Sequence, residues 1–285
     1  LHFGSLACAL ASFLHAKQAK GNWLVRIEDI DTPRTHESLS QNILQTLAAH
    51  GLHADKEVVY QRQRHHLYEK TLAMLNHNHS LYACQCSRKD IRARANYYDQ
   101  YCLNRNLPFD NAAIRWQNKT QQTEFSDLHY GSVAVDPDMA TEDPIMKRAD
   151  GVYAYHLAVV ADDIDQGITH IVRGSDLIET TVLHISLFKA LGKAAPQYLH
   201  IPIAVGGNRQ KLSKQHFAPA LDNSKALDNL KSALIFLGLE AKPMVTINDI
   251  ATLIDWAIIH WQSESLSLQT EILVSHTNGV YCIDK

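Results

Sequence analysis

Two stretches far apart in the chain carry groups suited to one kind of chemistry. Leu1-His2-Phe3-Gly4-Ser5-Leu6 opens the sequence, and Lys211-Leu212-Ser213-Lys214-Gln215 follows Gly206-Gly207-Asn208 much later. A small-residue turn that begins a helix presents free backbone N–H groups and the positive end of a dipole, and His2 adds a side-chain donor. Gly4 lets a backbone come close to a phosphate. Lys211 and Lys214, with Ser213 between them, lie in a glycine-flanked loop that can close on a polyphosphate and leave with it. These groups fit attack of a carboxylate on the α-phosphorus of ATP, where negative charge builds on pyrophosphate and must meet donors already in place. Alone, each stretch is a weak signal, with an ordinary helix cap and a solvated surface loop as the alternatives. Together and in this order they predict an ATP site, with Mg2+ accompanying ATP and with His2, Gly4, Lys211 and Lys214 as the catalytic groups.

A second constellation is Cys84-Gln85-Cys86 followed by Cys102. Thiolates converge on tetrahedral Zn2+ at about 2.3 Å, and a Cys-x-Cys hairpin supplies half a site. The sequence contains 17 His, yet none falls between Cys86 and Cys102, so the usual nitrogen ligand is locally absent. One Zn2+ per chain is the expectation, with three reduced, metal-free cysteines as the alternative. Cys8 and Cys282 read as packing or surface residues.

The elements that must position these groups alternate. Leu6, Leu10, Phe13 and Leu14 form one helical face that stops near Gly21, and residues 23–27 read as a buried strand. Residues 39–47 and 67–75 read as further helices. Residues 112–135, with turns at Asp127 and Gly131, suggest a small antiparallel insertion. Residues 169–173 and 199–205 read as strands around a helix over 176–191, and residues 225–237 and 247–261 as helices. Strands whose carboxyl ends face helix N-termini form a nucleotide-binding crevice. The expected fold is α/β, a Rossmann-type parallel sheet. Residues 1–80 form its first half, 81–140 a zinc-binding antiparallel insertion, 141–215 the second half with the lysine loop, and 216–285 a short helical subdomain. The final two dozen residues carry no usable pattern.

Composition bounds the rest. The 285 residues are 46% hydrophobic, enough for a sizeable core, and the net charge of −3 argues against blanket affinity for polyanions. No apolar run approaches the roughly 18 residues of a membrane span. Five cysteines without a pairing framework suit a reducing cytoplasm. The first turn lacks the strand that should feed it, which implies a preceding segment. A monomer is expected.

These features carry a resemblance. Residues 1–6 resemble the HIGH element and residues 211–215 the KMSKS element of class I aminoacyl-tRNA synthetases. Residues 23–31 (Trp-Leu-Val-Arg-Ile-Glu-Asp-Ile-Asp), 110–115, 150–163 and 171–177 resemble the glutamate branch of that family, and most closely the glutamyl-queuosine tRNA(Asp) synthetases. The resemblance covers most of the chain to about Leu239. It implies Glu28 facing the substrate ammonium, Arg173 facing its side-chain carboxylate and Tyr155 lining the pocket. A planar guanidinium pairs bidentately with a carboxylate, whereas a glutamine amide would set donors against donors. The resemblance further implies Tyr98 as the fourth metal ligand, with Asp99 as runner-up. A second arginine that family members carry ahead of the HIGH element has no counterpart here.

Three functional classes follow. The chain after Gln215 is too short for the anticodon-binding region of a glutamyl-tRNA synthetase, which favours an enzyme that activates L-glutamate without tRNA and esterifies queuosine in tRNA(Asp). The alternative is a catalytic fragment charging the 3′ end of tRNA(Glu). A non-catalytic RNA-binding relic would be expected to have lost Lys211 and Lys214.

Overall fold

The computed structural model describes residues 1–30, 37–207, 209–212 and 219–283. Helix α1 (Phe3–Gln18) starts at His2, whose extended backbone and side chain accept from the Ser5 amide. It buries Phe3, Leu6, Ala7, Leu10, Ala11, Phe13 and Leu14, a wide apolar stripe whose small residues allow close approach to a sheet. Strand β1 (Arg26–Ile27) is shorter than the expected run and pairs in parallel with β2 (Val59–Tyr60), on either side of α2 (Glu37–Ala49). After α3 (His65–Leu75), strand β3 (Leu81–Cys84) and the short α4 (Arg88–Arg92) carry the chain through the cysteine segment.

Residues 112–135 divide between two sheets instead of forming one insertion. Strand β4 (Ala113–Trp116) joins β3 and β7 (Ile145–Lys147) in an antiparallel sheet. Strands β5 (Glu124–Asp127) and β6 (Gly131–Ala134) form a hairpin, but β5 also runs parallel to β9 (Gln197–Ile201) and so extends the sheet that positions the site. The one-turn α5 (Pro137–Ala140) lies between β6 and β7. Next come α6 (Tyr155–Gln166), β8 (His170–Gly174) and α7 (Thr181–Ala190). The helix expected over 176–191 starts late, because residues 175–177 form a separate 3-10 turn.

The parallel pair β8–β9 is covered on both faces, as expected for strands joined by a helical crossover. Val172, Leu199 and Ile201 pack with α1, while Ile171, Tyr198, Arg173 and His200 face α7. Pro202 separates β9 from β10 (Ile203–Val205), since proline cannot continue a ladder.

The C-terminal expectation is corrected at its end. Helices α8 (Ala226–Phe236), α9 (Ala241–Met244) and α10 (Ile250–His260) are followed by a hairpin, β11 (Glu271–Thr277) and β12 (Val280–Ile283). Strand β11 lies parallel to β10 and antiparallel to β12. Asn278 and Gly279, at φ 54° and 78°, supply the tight turn that matches strand twist. That Asn-Gly pair between alternating apolar residues was the overlooked signal. This part has no core of its own: Phe3 of α1 lies edge-on to Phe236 and stacks on Tyr281 at 5.0 Å.

Candidate active site

The turn that begins α1 and the segment bearing Lys211 meet at β10. A Cβ added to Gly4 would lie 3.7 Å from Ala204 Cβ and 3.5 Å from the His2 ring, so the helix start rests directly on the strand. The His2 ring folds over Ser5, with Nε2 2.9 Å from its hydroxyl. Lys211 returns antiparallel to Val205, and the Leu212 amide donates to the Ala204 carbonyl. The Lys211 ammonium donates to Asp176 Oδ2. Ser213 and Lys214 lie outside the described residues. A Cβ at Gly174 would fall 2.5 Å from Asp176 Oδ1, so a side chain there would displace the carboxylate that holds Lys211.

Glu28, just past the end of β1, Tyr155 at the start of α6 and Arg173 in β8 come together. Glu28 keeps 47% of its side chain exposed, with Oε1 4.0 Å from Arg26 Nη2. It nevertheless sits in a crowded crevice, and the surrounding protein raises its pKa against the pull of Arg26, with Asp163 and Asp162 adding to the rise. Arg26 holds Asp163 at 2.9 Å, Asp162 at 3.6 Å and Gln166 at 2.8 Å. Asp162 is further tied to Arg64, Gln61 and Tyr68, and Arg64 also binds Asp165. Four carboxylates, Glu28, Asp162, Asp163 and Asp165, thus share the Arg26 and Arg64 guanidiniums, and this end of the crevice carries excess negative charge.

Arg173 is the opposite pole. It is only 8% exposed, and its guanidinium contacts His200, His184, Thr181 and the Leu177 carbonyl, none of them a carboxylate. Among the described residues it makes no ion pair, an unusual state for a buried cation. Tyr155 lies between the poles. Burial raises its pKa, and the charges of Arg173 and Glu28 both act on it, in opposite directions. The crevice therefore has a negatively charged end and, at the other, a buried guanidinium without a carboxylate partner among the described residues. Sequence reasoning missed Arg26, Asp162 and Asp163, which support Glu28, and Asp176, which holds Lys211; their roles depend on strand neighbours invisible in local patterns.

The three cysteines converge as the spacing implies. Their sulfurs all lie within 4.8 Å of one another, and this group could hold a metal ion. Cys84 ends β3 and Cys102 sits in a turn. The buried Tyr98 hydroxyl accepts from the Cys102 amide at 2.9 Å, and Arg115 lies 3.5 Å from the Tyr98 ring centroid. Burial works to raise the Cys84 pKa, but hydrogen bonds from Tyr98 and Arg115 prevail and lower it. Cys86 is pushed up to about 11 by burial and by the neighbouring thiols, crowding that a cation would relieve. Asp99 is taken by Arg94 at 2.6 and 2.9 Å, which leaves Tyr98 closer in character to the donor set.

A cavity of about 780 Å³ opens at the other end of α1, lined by Ser12, His15, Trp23, Lys56 and His170 among others, and includes none of Glu28, Tyr155, Arg173, His2 and Lys211. Its position opposite the strand carboxyl ends makes it the weaker candidate for catalysis. No helix among the described residues is long and apolar enough to cross a membrane.

Known proteins match nearly the whole chain. The family model described as tRNA synthetases class I (E and Q), catalytic domain, matches residues 1–270. A glutamyl-Q tRNA(Asp) synthetase of Vibrio vulnificus (strain CMCP6) is 42% identical over 279 residues, covering 98% of this chain and 91% of the relative. Its counterpart from Pectobacterium atrosepticum is 44% identical over 275 residues, covering 96% and 85%. Among solved structures, a glutamate tRNA ligase from Elizabethkingia meningosepticum in complex with its amino acid superposes with a TM-score of 0.75 at 21% identity. That match covers 94% of this chain and 64% of the ligase, and bears on the fold alone.

Proposed function

The chain belongs to the class I tRNA synthetases of the glutamate and glutamine branch, and from that premise we propose that it activates L-glutamate with ATP and transfers it to queuosine in tRNA(Asp). The observation that carries the reading is the pairing of an acidic crevice end at Glu28 with a buried Arg173 that makes no ion pair among the described residues. Glutamate fits both poles: its ammonium at Glu28, its side-chain carboxylate at Arg173, with Tyr155 between. The α-carboxylate then attacks the α-phosphorus of ATP, forming glutamyl-adenylate and releasing pyrophosphate. His2 and the amides at the start of α1 take the nucleotide phosphates, beside the close approach at Gly4. Lys211, once released from Asp176, and Lys214 with Ser213 in the same loop meet the charge that develops on pyrophosphate.

In the second step a hydroxyl of the queuosine cis-diol attacks the activated carbonyl. An ester forms, AMP leaves, and the hydroxyl proton is lost. The diol resembles the ribose diol of a terminal adenosine, so one adenylate serves this acceptor with little change in the site. Bases of an anticodon loop are unstacked and can be splayed into a pocket, which suits presentation of a modified wobble base. Cys84, Cys86, Cys102 and Tyr98 would hold one Zn2+, whose contribution is to fix the β3 segment and its turn. Activation needs no tRNA in this reading.

The test is transfer of labelled glutamate to purified tRNA(Asp) with and without queuosine. Product is expected only with queuosine, and prior removal of the 3′-terminal adenosine should not prevent it. Efficient charging of unmodified tRNA(Glu) at its 3′ end would replace this proposal with a conventional synthetase activity.

A further inference from the structure

Arg173 is held by two histidines whose protons are fixed by their outer partners. In the parallel ladder Arg173 lies beside His200, and Arg173 Nε is 3.1 Å from His200 Nε2. On the far side of that ring, Nδ1 is 2.7 Å from Asp127 Oδ2. The carboxylate can only accept, so the imidazole proton resides on Nδ1 and the Nε2 lone pair faces the guanidinium. His184 repeats the arrangement from α7. Its Nδ1 is 3.1 Å from Arg173 Nη1, and its Nε2 is 3.0 Å from His156 Nδ1. With Nδ1 accepting from Arg173, Nε2 carries the proton and donates to His156. Thr181 Oγ1 accepts from Nη2 at 2.7 Å and completes the set.

A buried guanidinium must have acceptors, and carboxylates are the strongest available. A carboxylate in direct contact would neutralise Arg173 and compete with any anionic ligand. Here Asp127 is separated from Arg173 by a whole imidazole, so direction is supplied and charge is retained. Asp127 is anchored independently: Oδ1 accepts from the His129 and Tyr130 amides at 2.9 and 3.0 Å, and Oδ2 from the His200 amide at 3.1 Å. Burial, with the charge of Arg173 adding to it, lowers the pKa of His184 and of His156, and burial lowers that of His200 despite Asp127.

We propose that Asp127, acting through His200, and His184 are positioning residues that keep Arg173 an unneutralised cation and thereby set the preference for a substrate carboxylate over a carboxamide. The inference rests on the reading of this crevice as a glutamate site. Asp127→Asn is the sharpest probe, because its Oδ1 can still accept from the turn while its NH2 faces His200. The imidazole proton must then move to Nε2, against the Arg173 donor.

The experiment measures ATP–pyrophosphate exchange with glutamate and glutamine as alternative substrates, in the full chain. Asp127→Asn should raise KM for glutamate at least tenfold and lower the glutamate-over-glutamine ratio of kcat/KM by a similar factor, while KM for ATP stays within threefold. His200→Gln, which keeps an acceptor oxygen toward Arg173, should lie nearer wild type than His200→Leu. Nitrogen-15 shifts of His200 should show the proton on Nδ1 in wild type and on Nε2 in Asp127→Asn, a readout that survives partial loss of activity. If Asp127→Asn fails to fold, the His200→Gln and His200→Leu pair decides. Folded variants in which glutamate and ATP constants change together would reduce these residues to a structural role and overturn the proposal. Wild-type protein that neither binds glutamate nor supports exchange would instead overturn the glutamate reading itself, and the proposal with it.

Discussion

The Lys211 ammonium donates to the Asp176 carboxylate, so a cation expected on the triphosphate is occupied within the protein. Lys211 is 47% exposed, and an ion pair this open is worth only about 0–1 kcal/mol, so a bound polyphosphate can readily replace Asp176. Lys211→Ala should lower ATP–pyrophosphate exchange by roughly 10²–10³, about 3–4 kcal/mol, with little change in glutamate binding. A variant within threefold of wild type would remove Lys211 from the mechanism.

Exchange should proceed without RNA. The two poles proposed for glutamate are formed by this chain's own residues, with Arg173 buried among fixed acceptors and Glu28 beside Arg26. Glutamate-dependent exchange is expected at the same rate before and after addition of tRNA. Exchange seen only with tRNA(Glu) would show that the RNA completes the site.

For the metal, elemental analysis of wild-type protein is expected to find one zinc per chain. Cys84→Ser or Cys102→Ser should lose it and destabilise the surrounding segment, and Tyr98→Phe should weaken it less. Asp99→Asn should retain the metal, since Arg94 occupies that carboxylate. Zinc lost in Asp99→Asn but kept in Tyr98→Phe would exchange their roles.

Acid stability should depend on the buried histidines. His156 is lowered to about 4, by burial first and then by Arg173, and His184 is lowered well below its ordinary value by the same causes. The unfolded chain binds those protons near pH 6.5, so the contribution to stability is complete above that pH and declines as pH falls toward 4. Each group can add a slope of at most about 1.4 kcal/mol per pH unit in that window. Urea unfolding between pH 4.5 and 7 should show a shallower slope for His156→Gln than for wild type; equal slopes would exclude this source.

Two glycines at helix ends should respond differently to the same change. Gly192 and Gly238 both have positive φ, 67° and 87°, but a Cβ at Gly192 meets nothing within 4 Å, whereas at Gly238 it would fall 2.0 Å from the Ser265 carbonyl oxygen. Gly192→Ala should cost about 1–2 kcal/mol, the price of a left-handed alanine. Gly238→Ala should cost upward of about 3 kcal/mol, because backbone must move as well. Similar melting temperatures for the two variants would contradict the packing described here.

The sequence by itself determined the helix start at His2, the runs that became α1, α2, α3, α8 and α10, the Cys84-Cys86-Cys102 group, and the identity of Glu28, Tyr155 and Arg173 as candidates. Each is legible because its signal is local: a cap, a period, a short spacing or a recognisable run of residues. What the tertiary structure decided is who stands beside whom. Pairing of β8 with β9 sets Arg173 beside His200, and pairing of β5 with β9 brings Asp127 behind that ring; neither follows from periodicity, because register is fixed by packing across the sheet. The same holds for Asp176 on Lys211 and for the C-terminal hairpin against β10. A residue's type sets which hydrogen bonds and charges it can offer, but only the folded chain sets whether a buried guanidinium meets a carboxylate or a neutral imidazole. At Arg173 that difference decides whether the charge is spent inside the protein or left for a ligand.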